Sequence, residues 1–170
     1  MKKLLTILFV SALILTSCEG PQGLPGAPGP QGTPGTDGQI EVAPSFEIEL
    51  DFVASNNFEF FEPYGFTTYA SDVTLVYMLW EVNNNQDVWR LLPQTVEFSE
   101  GTLVYNFDFT QTNVRFFLDG TVDFNSLDVS WTRNQVFRVV VIPAFNAGKQ
   151  DFSDLNTVME AYNITEFEKR

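Results

Sequence analysis

From residue 40 onward the chain alternates apolar and polar positions with a period of two. In "SFEIELDF", Phe46, Ile48, Leu50 and Phe52 fall on one side and Glu47, Glu49 and Asp51 on the other. That is the pattern of a strand with one buried face, and it assigns the three carboxylates to a solvated sheet face. "LVYNFDFT" repeats it, with Leu103, Tyr105, Phe107 and Phe109 inward and Asn106 and Asp108 outward. "NVRFFLDG" sets Val114, Phe116 and Leu118 against Arg115. Two segments, 73–82 and 136–144, are apolar on both sides and predict central strands. "NNNQD" (83–87) predicts a turn into a strand over 88–98, which Pro93 bends or ends. A short helix is expected at 152–162, with Ser153 as N-cap and Leu155, Val158, Met159 and Tyr162 at helical spacing.

Seven or eight strands follow one another with turns between them and no helix of useful length separating them. The fold expected for residues 40–170 is therefore mainly β, an antiparallel β-sandwich, with a small β-barrel as the alternative. Aromatic residues make up 15% of the chain, mostly phenylalanine, enough for a substantial core.

Charge and residue types narrow the chemistry. The formal charge is −13, a field that opposes nucleic acid and docking onto anionic lipid. There is no histidine and one cysteine, Cys18, which excludes an internal disulfide, Ser-His-Asp and Cys-His nucleophile systems, and histidine-based metal centres. No P-loop or dinucleotide-binding glycine turn is present, and no cofactor is expected.

Three groups of side chains could carry chemistry. Asp119, Asp123, Asn125 and Asp128 gather oxygen atoms that suit calcium. Their spacing is not that of an EF-hand loop, so a polar connection between strands is the favoured reading and no metal is expected. Trp80, Trp89 and Trp131 could form a sugar-stacking platform; Trp80 lies in a doubly apolar strand, which leaves Trp131, in the polar setting "SWTRNQ", as the candidate for exposure. The carboxylates are numerous, but nothing in their spacing selects the pair a glycosidase needs.

The first 39 residues follow other rules. Lys2 and Lys3 precede an apolar run from Leu4 to Leu15, twelve residues long, too short to span a bilayer comfortably and suited to a secretory signal peptide. "LTSC" (Leu15, Thr16, Ser17, Cys18) then resembles the lipobox of bacterial lipoproteins. That resemblance implies diacylglyceryl and fatty-acyl (palmitate-type) modification of Cys18 and cleavage just before it. Removing residues 1–17 would take Lys2 and Lys3 away and leave the chain at −15. Two or three acyl chains anchor a protein stably where one does not. Glu19 is not the aspartate that retains some enteric lipoproteins at the inner membrane, so the resemblance implies the outer membrane more than the inner.

Glycine then recurs at every third position, at Gly20, Gly23, Gly26, Gly29, Gly32, Gly35 and Gly38, with Pro21, Pro25, Pro28, Pro30 and Pro34 between. Strict Gly-X-Y with proline resembles collagen, whose triple-helix axis admits only glycine. Two readings stay open: three chains pair into a short triple helix, giving a homotrimer, or the tract is a polyproline-II spacer reaching about 60 Å. The expected organisation is a signal peptide at 1–17, a lipidated stalk at 18–39 and a β-sandwich at 40–170. The chain resembles small Gram-negative lipoproteins that join a Gly-X-Y tract to a β-rich domain. The expected function is a membrane-anchored envelope lipoprotein presenting a non-catalytic β-domain with a structural or binding role. A surface carbohydrate- or protein-binding module is the alternative, and a hydrolase using carboxylates alone a third.

Overall fold

The computed structural model describes residues 42–144 and 151–170, all within the unit Gly38–Arg170. The alternating segment "SFEIEL" forms β1 (Ser45–Leu50), with Phe46, Ile48 and Leu50 buried. The chain continues through β2 (Glu59–Pro63), β3 (Val73–Asn83), β4 (Gln86–Leu91), β5 (Gln94–Phe98), β6 (Gly101–Phe109), β7 (Asn113–Gly120) and β8 (Gln135–Ile142). Helix α1 (Leu155–Ala161) and a two-residue strand, β9 (Glu168–Lys169), complete it.

The strands form two sheets, β4-β3-β8-β1-β9 and β2-β7-β6-β5. All pairs are antiparallel except β1 with β9. The sheets stay separate, so the fold is a β-sandwich and the barrel alternative does not hold.

The main core lies between the sheets. Phe137 stands edge-on to Phe52 with ring centroids 6.1 Å apart and tilted against Phe116 at 5.0 Å. The Tyr105 hydroxyl crosses the core to donate to the Trp131 carbonyl at 2.7 Å. A second core lies on the outer side of the first sheet. There Leu75 and Tyr77 of β3 and Val140 and Ile142 of β8 pack against Leu155, Val158, Tyr162 and Ile164. This explains why 73–82 and 136–144 are apolar on both faces: each strand is a wall shared by two cores.

Two expectations are refined. Segment 88–98 is two strands in two different sheets. Pro93, which has no N–H to give a ladder, stands at the crossing between β4 and β5. The helix is capped by Asp154, not Ser153: the Asp154 carboxylate accepts from the N–H groups of Asn156 at 3.3 Å and Thr157 at 3.1 Å. A carboxylate has two oxygens for two unpaired N–H groups, whereas the Ser153 hydroxyl donates to Asp151. The "NNNQD" turn is as expected, with Asn84 and Asn85 both at positive φ (49° and 60°) in a two-residue hairpin.

Gly120 ends β7 at a φ of 128°, and a Cβ there would stand 2.1 Å from the Thr102 carbonyl oxygen. Gly65 is also at positive φ, but a Cβ there would meet nothing closer than 3.6 Å. Gly120→Ala is expected to cost at least about 3 kcal/mol or to prevent folding, and Gly65→Ala about 1 kcal/mol. Urea unfolding followed by circular dichroism measures both; equal small losses would show that the backbone absorbs the clash.

Burial pushes the Tyr77 hydroxyl well above its ordinary value of 10.0, helped by the nearby Asp154 and Asp151 charges. Burial alone does the same to Tyr105. Above pH 10 the unfolded chain gives up these protons while the folded chain keeps them. Stability complete below that pH is therefore lost as pH rises toward the folded values. In an alkaline titration, tyrosinate absorbance from these residues is expected to appear together with loss of the β-sheet signal. Full ionisation in a still-folded protein would contradict the burial.

Candidate functional site

The acidic segment after β7 is a series of turn caps. Asp119 accepts from the Gly120 N–H at 2.7 Å, Asp123 from Asn125 at 3.0 Å and Asp128 from Ser130 at 2.9 Å. Asp123 and Asp128 each begin a short 3-10 turn, at Phe124–Ser126 and Val129–Trp131. Hydrogen bonds from the Ser130 side chain and backbone hold the Asp128 carboxyl below its ordinary range. Among the described residues no group of three or more acidic or cysteine side chains could hold a metal ion.

The three tryptophans are dispersed. Trp80 packs against the main core with the Arg90 guanidinium 4.3 Å over its ring. Trp89 lies on the outer face of the first sheet beneath Arg138. Trp131 is half-buried, edge-on to Phe98 at 5.3 Å, where it helps close the main core. The candidate for exposure is thus a packing residue, because the turn Val129–Trp131 folds back onto β5. Cys18, the lipobox residues and the seven repeat glycines lie outside the described residues.

Glu47 is not a solvated carboxylate either. It accepts from Arg138 at 2.9 Å and pairs with Lys169 at 3.4 Å, leaving its side chain 15% exposed. Arg138 is held between the rings of Trp89 at 4.0 Å and Phe167 at 4.5 Å. On the second sheet, Arg115 lies 4.6 Å over Phe117 and pairs with Glu59 at 3.2 Å and with Asp108. Cations and rings on both outer faces are therefore largely engaged with one another.

Among the open concavities of the described residues, two are bordered by the ion pairs of Glu47 with Lys169 and of Asp51 with Arg133, and a third, at one end of the sandwich, is bordered by exposed aromatic rings. There the loop between β2 and β3 (64–72) faces the turn between β6 and β7. The cleft holds about 290 Å³ and is walled by Tyr64, Tyr69, Phe109 and Val141, with Asp72, Thr74 and Gln111 among its polar groups. Tyr69 is 70% exposed and Phe109 42% exposed, although alternation placed Phe109 inward. Phe109 is the last residue of β6, where the cover of the facing sheet runs out.

The loop is held in place. The Tyr69 N–H donates to Asp72 at 2.8 Å, the Asp72 N–H returns to the Tyr69 carbonyl at 3.0 Å, and the Thr68 hydroxyl donates to the Gln111 carbonyl. Beneath the cleft, the hydroxyls of Tyr64 and Thr74 share a buried hydrogen bond of 2.6 Å. The sequence reading missed this site. "GFTTYASD" has no alternation to read, and its one signal is an aromatic residue inside a Gly/Thr/Ser loop.

No family profile, curated protein or solved structure matches this chain. The cleft's chemistry is therefore read from its own residues: two exposed rings, a hydroxyl and amide rim, and one carboxylate.

Tyr64→Phe strands the Thr74 hydroxyl in the core and is expected to cost about 1–2 kcal/mol. Thr74→Val should cost less in the Tyr64→Phe background than alone, with a coupling of about 1 kcal/mol in a double-mutant cycle. Strict additivity would mean that the hydroxyls do not depend on one another.

Proposed function

We propose that this chain is a lipid-anchored envelope lipoprotein whose β-sandwich is a non-catalytic binding domain. The anchor is Cys18, the stalk is the Gly-X-Y tract of residues 18–39, and the outer membrane is the favoured location. Support for the anchor lies in the order of the leader: two lysines, a twelve-residue apolar run and "LTSC" at Leu15–Cys18. The observation that carries the binding role is the end cleft, where two aromatic side chains stay in water, Tyr69 on an ordered loop and Phe109 at the end of β6. Binding is favoured over hydrolysis because Asp72 is the cleft's one carboxylate, whereas glycoside hydrolysis works with two.

Two experiments address this reading. Cells fed an alkyne-labelled palmitate should incorporate it into the parent protein and not into Cys18→Ala, and the variant should leave the membrane fraction. A Cys18→Ala protein that stays membrane-bound and labelled would remove the anchor from Cys18. Sedimentation equilibrium of residues 19–170 beside 40–170 addresses the stalk. A trimer confined to the longer form makes the tract an assembly device, and two monomers make it a spacer.

A further inference from the structure

We infer that the cleft between Tyr69 and Phe109 is a binding site for a neutral glycan, with one or two hexose rings seated against the aromatic side chains. This rests on the binding role proposed above and gives that site a ligand class.

Four observations converge on it. The first is where exposed rings stand. Among the described residues three aromatic side chains are left exposed, Phe61, Tyr69 and Phe109, and two of the three wall this cleft. A pyranose has an apolar C–H face that an aromatic ring can cover, and a tyrosine adds a polar tip at little entropic cost. The second is the rim. The Tyr69 hydroxyl and the Gln111 side-chain amide make no hydrogen bond among the described residues, and one Asp72 oxygen is left over after the other accepts from Tyr69. A hydroxyl, an amide and a carboxylate together offer both donors and acceptors, as sugar hydroxyls require.

The third is charge. Asp72 is the only charged side chain in the lining, no cation accompanies it, and the whole chain carries −13. A uronate or a phosphorylated ligand would be repelled, which excludes an anionic glycan, and the uncharged hydroxyl and amide groups that make up the rest of the rim match the hydroxyls of a neutral one. The fourth is size and order. A cleft of about 290 Å³ stands at the small end of ligand sites. A stable protein partner covers far more surface than this, about 800 Å² on each side. The loop is also already pinned by Asp72 and Thr68, so binding would not have to order it.

The test is isothermal titration of the full chain, held in a polyoxyethylene detergent that carries no sugar. The probes are maltohexaose, cellohexaose and mannohexaose, with polygalacturonate as the anionic comparison. At least one neutral oligosaccharide is expected to bind with a Kd of roughly 0.1–1 mM, and polygalacturonate should not bind. Tyr69→Ala and Phe109→Ala should each weaken binding about tenfold, whereas Tyr69→Phe should keep most of it. Phe61→Ala, an exposed ring outside the cleft, should bind as the parent does. Tyr69 is mostly in water, so Tyr69→Ala should melt as the parent does, which separates a lost contact from a lost fold.

No heat from any neutral oligosaccharide would overturn the inference. So would binding that survives both Tyr69→Ala and Phe109→Ala, or tighter binding of polygalacturonate. The anchor is judged separately: a protein that binds glycan without incorporating palmitate keeps the cleft and loses the anchor, and the converse result does the reverse.

Discussion

The structure depends on two neighbouring strands being apolar on both faces. β3 and β8 give Val76, Met78, Phe137, Val139 and Val141 to the core between the sheets, and Leu75, Tyr77, Val140 and Ile142 to the core under α1. Sheet-on-sheet burial covers one face of the first sheet, and the C-terminal segment covers the other. A helix of seven residues would not persist alone in water; it is held because Leu155 and Val158 complete an existing apolar surface. The Tyr77 hydroxyl, which donates to the Phe152 carbonyl at 2.6 Å, ties the approach to that helix back onto β3.

This arrangement also orders the charges. Each of the six described basic side chains is paired with a carboxylate or rests on an aromatic ring: Arg90, Arg115, Arg133, Arg138, Lys169 and Arg170. Arg170 does both, lying 4.0 Å over Phe46 of the first sheet while pairing with Glu62 of the second at 3.3 Å. The described cations thus act within the domain, and the remaining carboxylates set its outward field. In the binding role proposed for it, an aromatic cleft on such a surface would select by shape and hydrogen bonding, with charge serving to exclude anions.

Much of the fold was legible because burial imposes period two on a strand with one wet face. The buried faces of β1, β6 and β7 could be read from alternation, Phe109 at the open end of β6 excepted, and the two doubly apolar strands were recognisable as central. What could not be read was set by partners distant in sequence. Glu47 alternates like any solvated residue, and only the register that places Arg138 and Lys169 beside it reveals the pairing. Pro93 marks an interruption, but nothing local says that the chain changes sheets there. The cleft was illegible for the same reason. Tyr69 and Phe109 come from a loop and a strand end forty residues apart, and their common exposure is a property of the assembled end.

The order of the strands has a further meaning for a chain that is synthesised from its N-terminus. β1 pairs with β8 and β9, through Phe46 with Val139 and with Glu168. The first strand delivered therefore finds its neighbours among the last segments delivered. Until then its backbone edges have no ladder partner while its apolar face carries Phe46, Ile48 and Leu50, and loop closure over some ninety residues is slow relative to local hairpin formation. The hairpins β3–β4, β5–β6 and β6–β7 can zip as they arrive, but the first sheet waits for its end. A nascent domain of this kind depends on whatever shields an unpaired strand during synthesis, and a truncation near residue 135 would leave that strand permanently exposed.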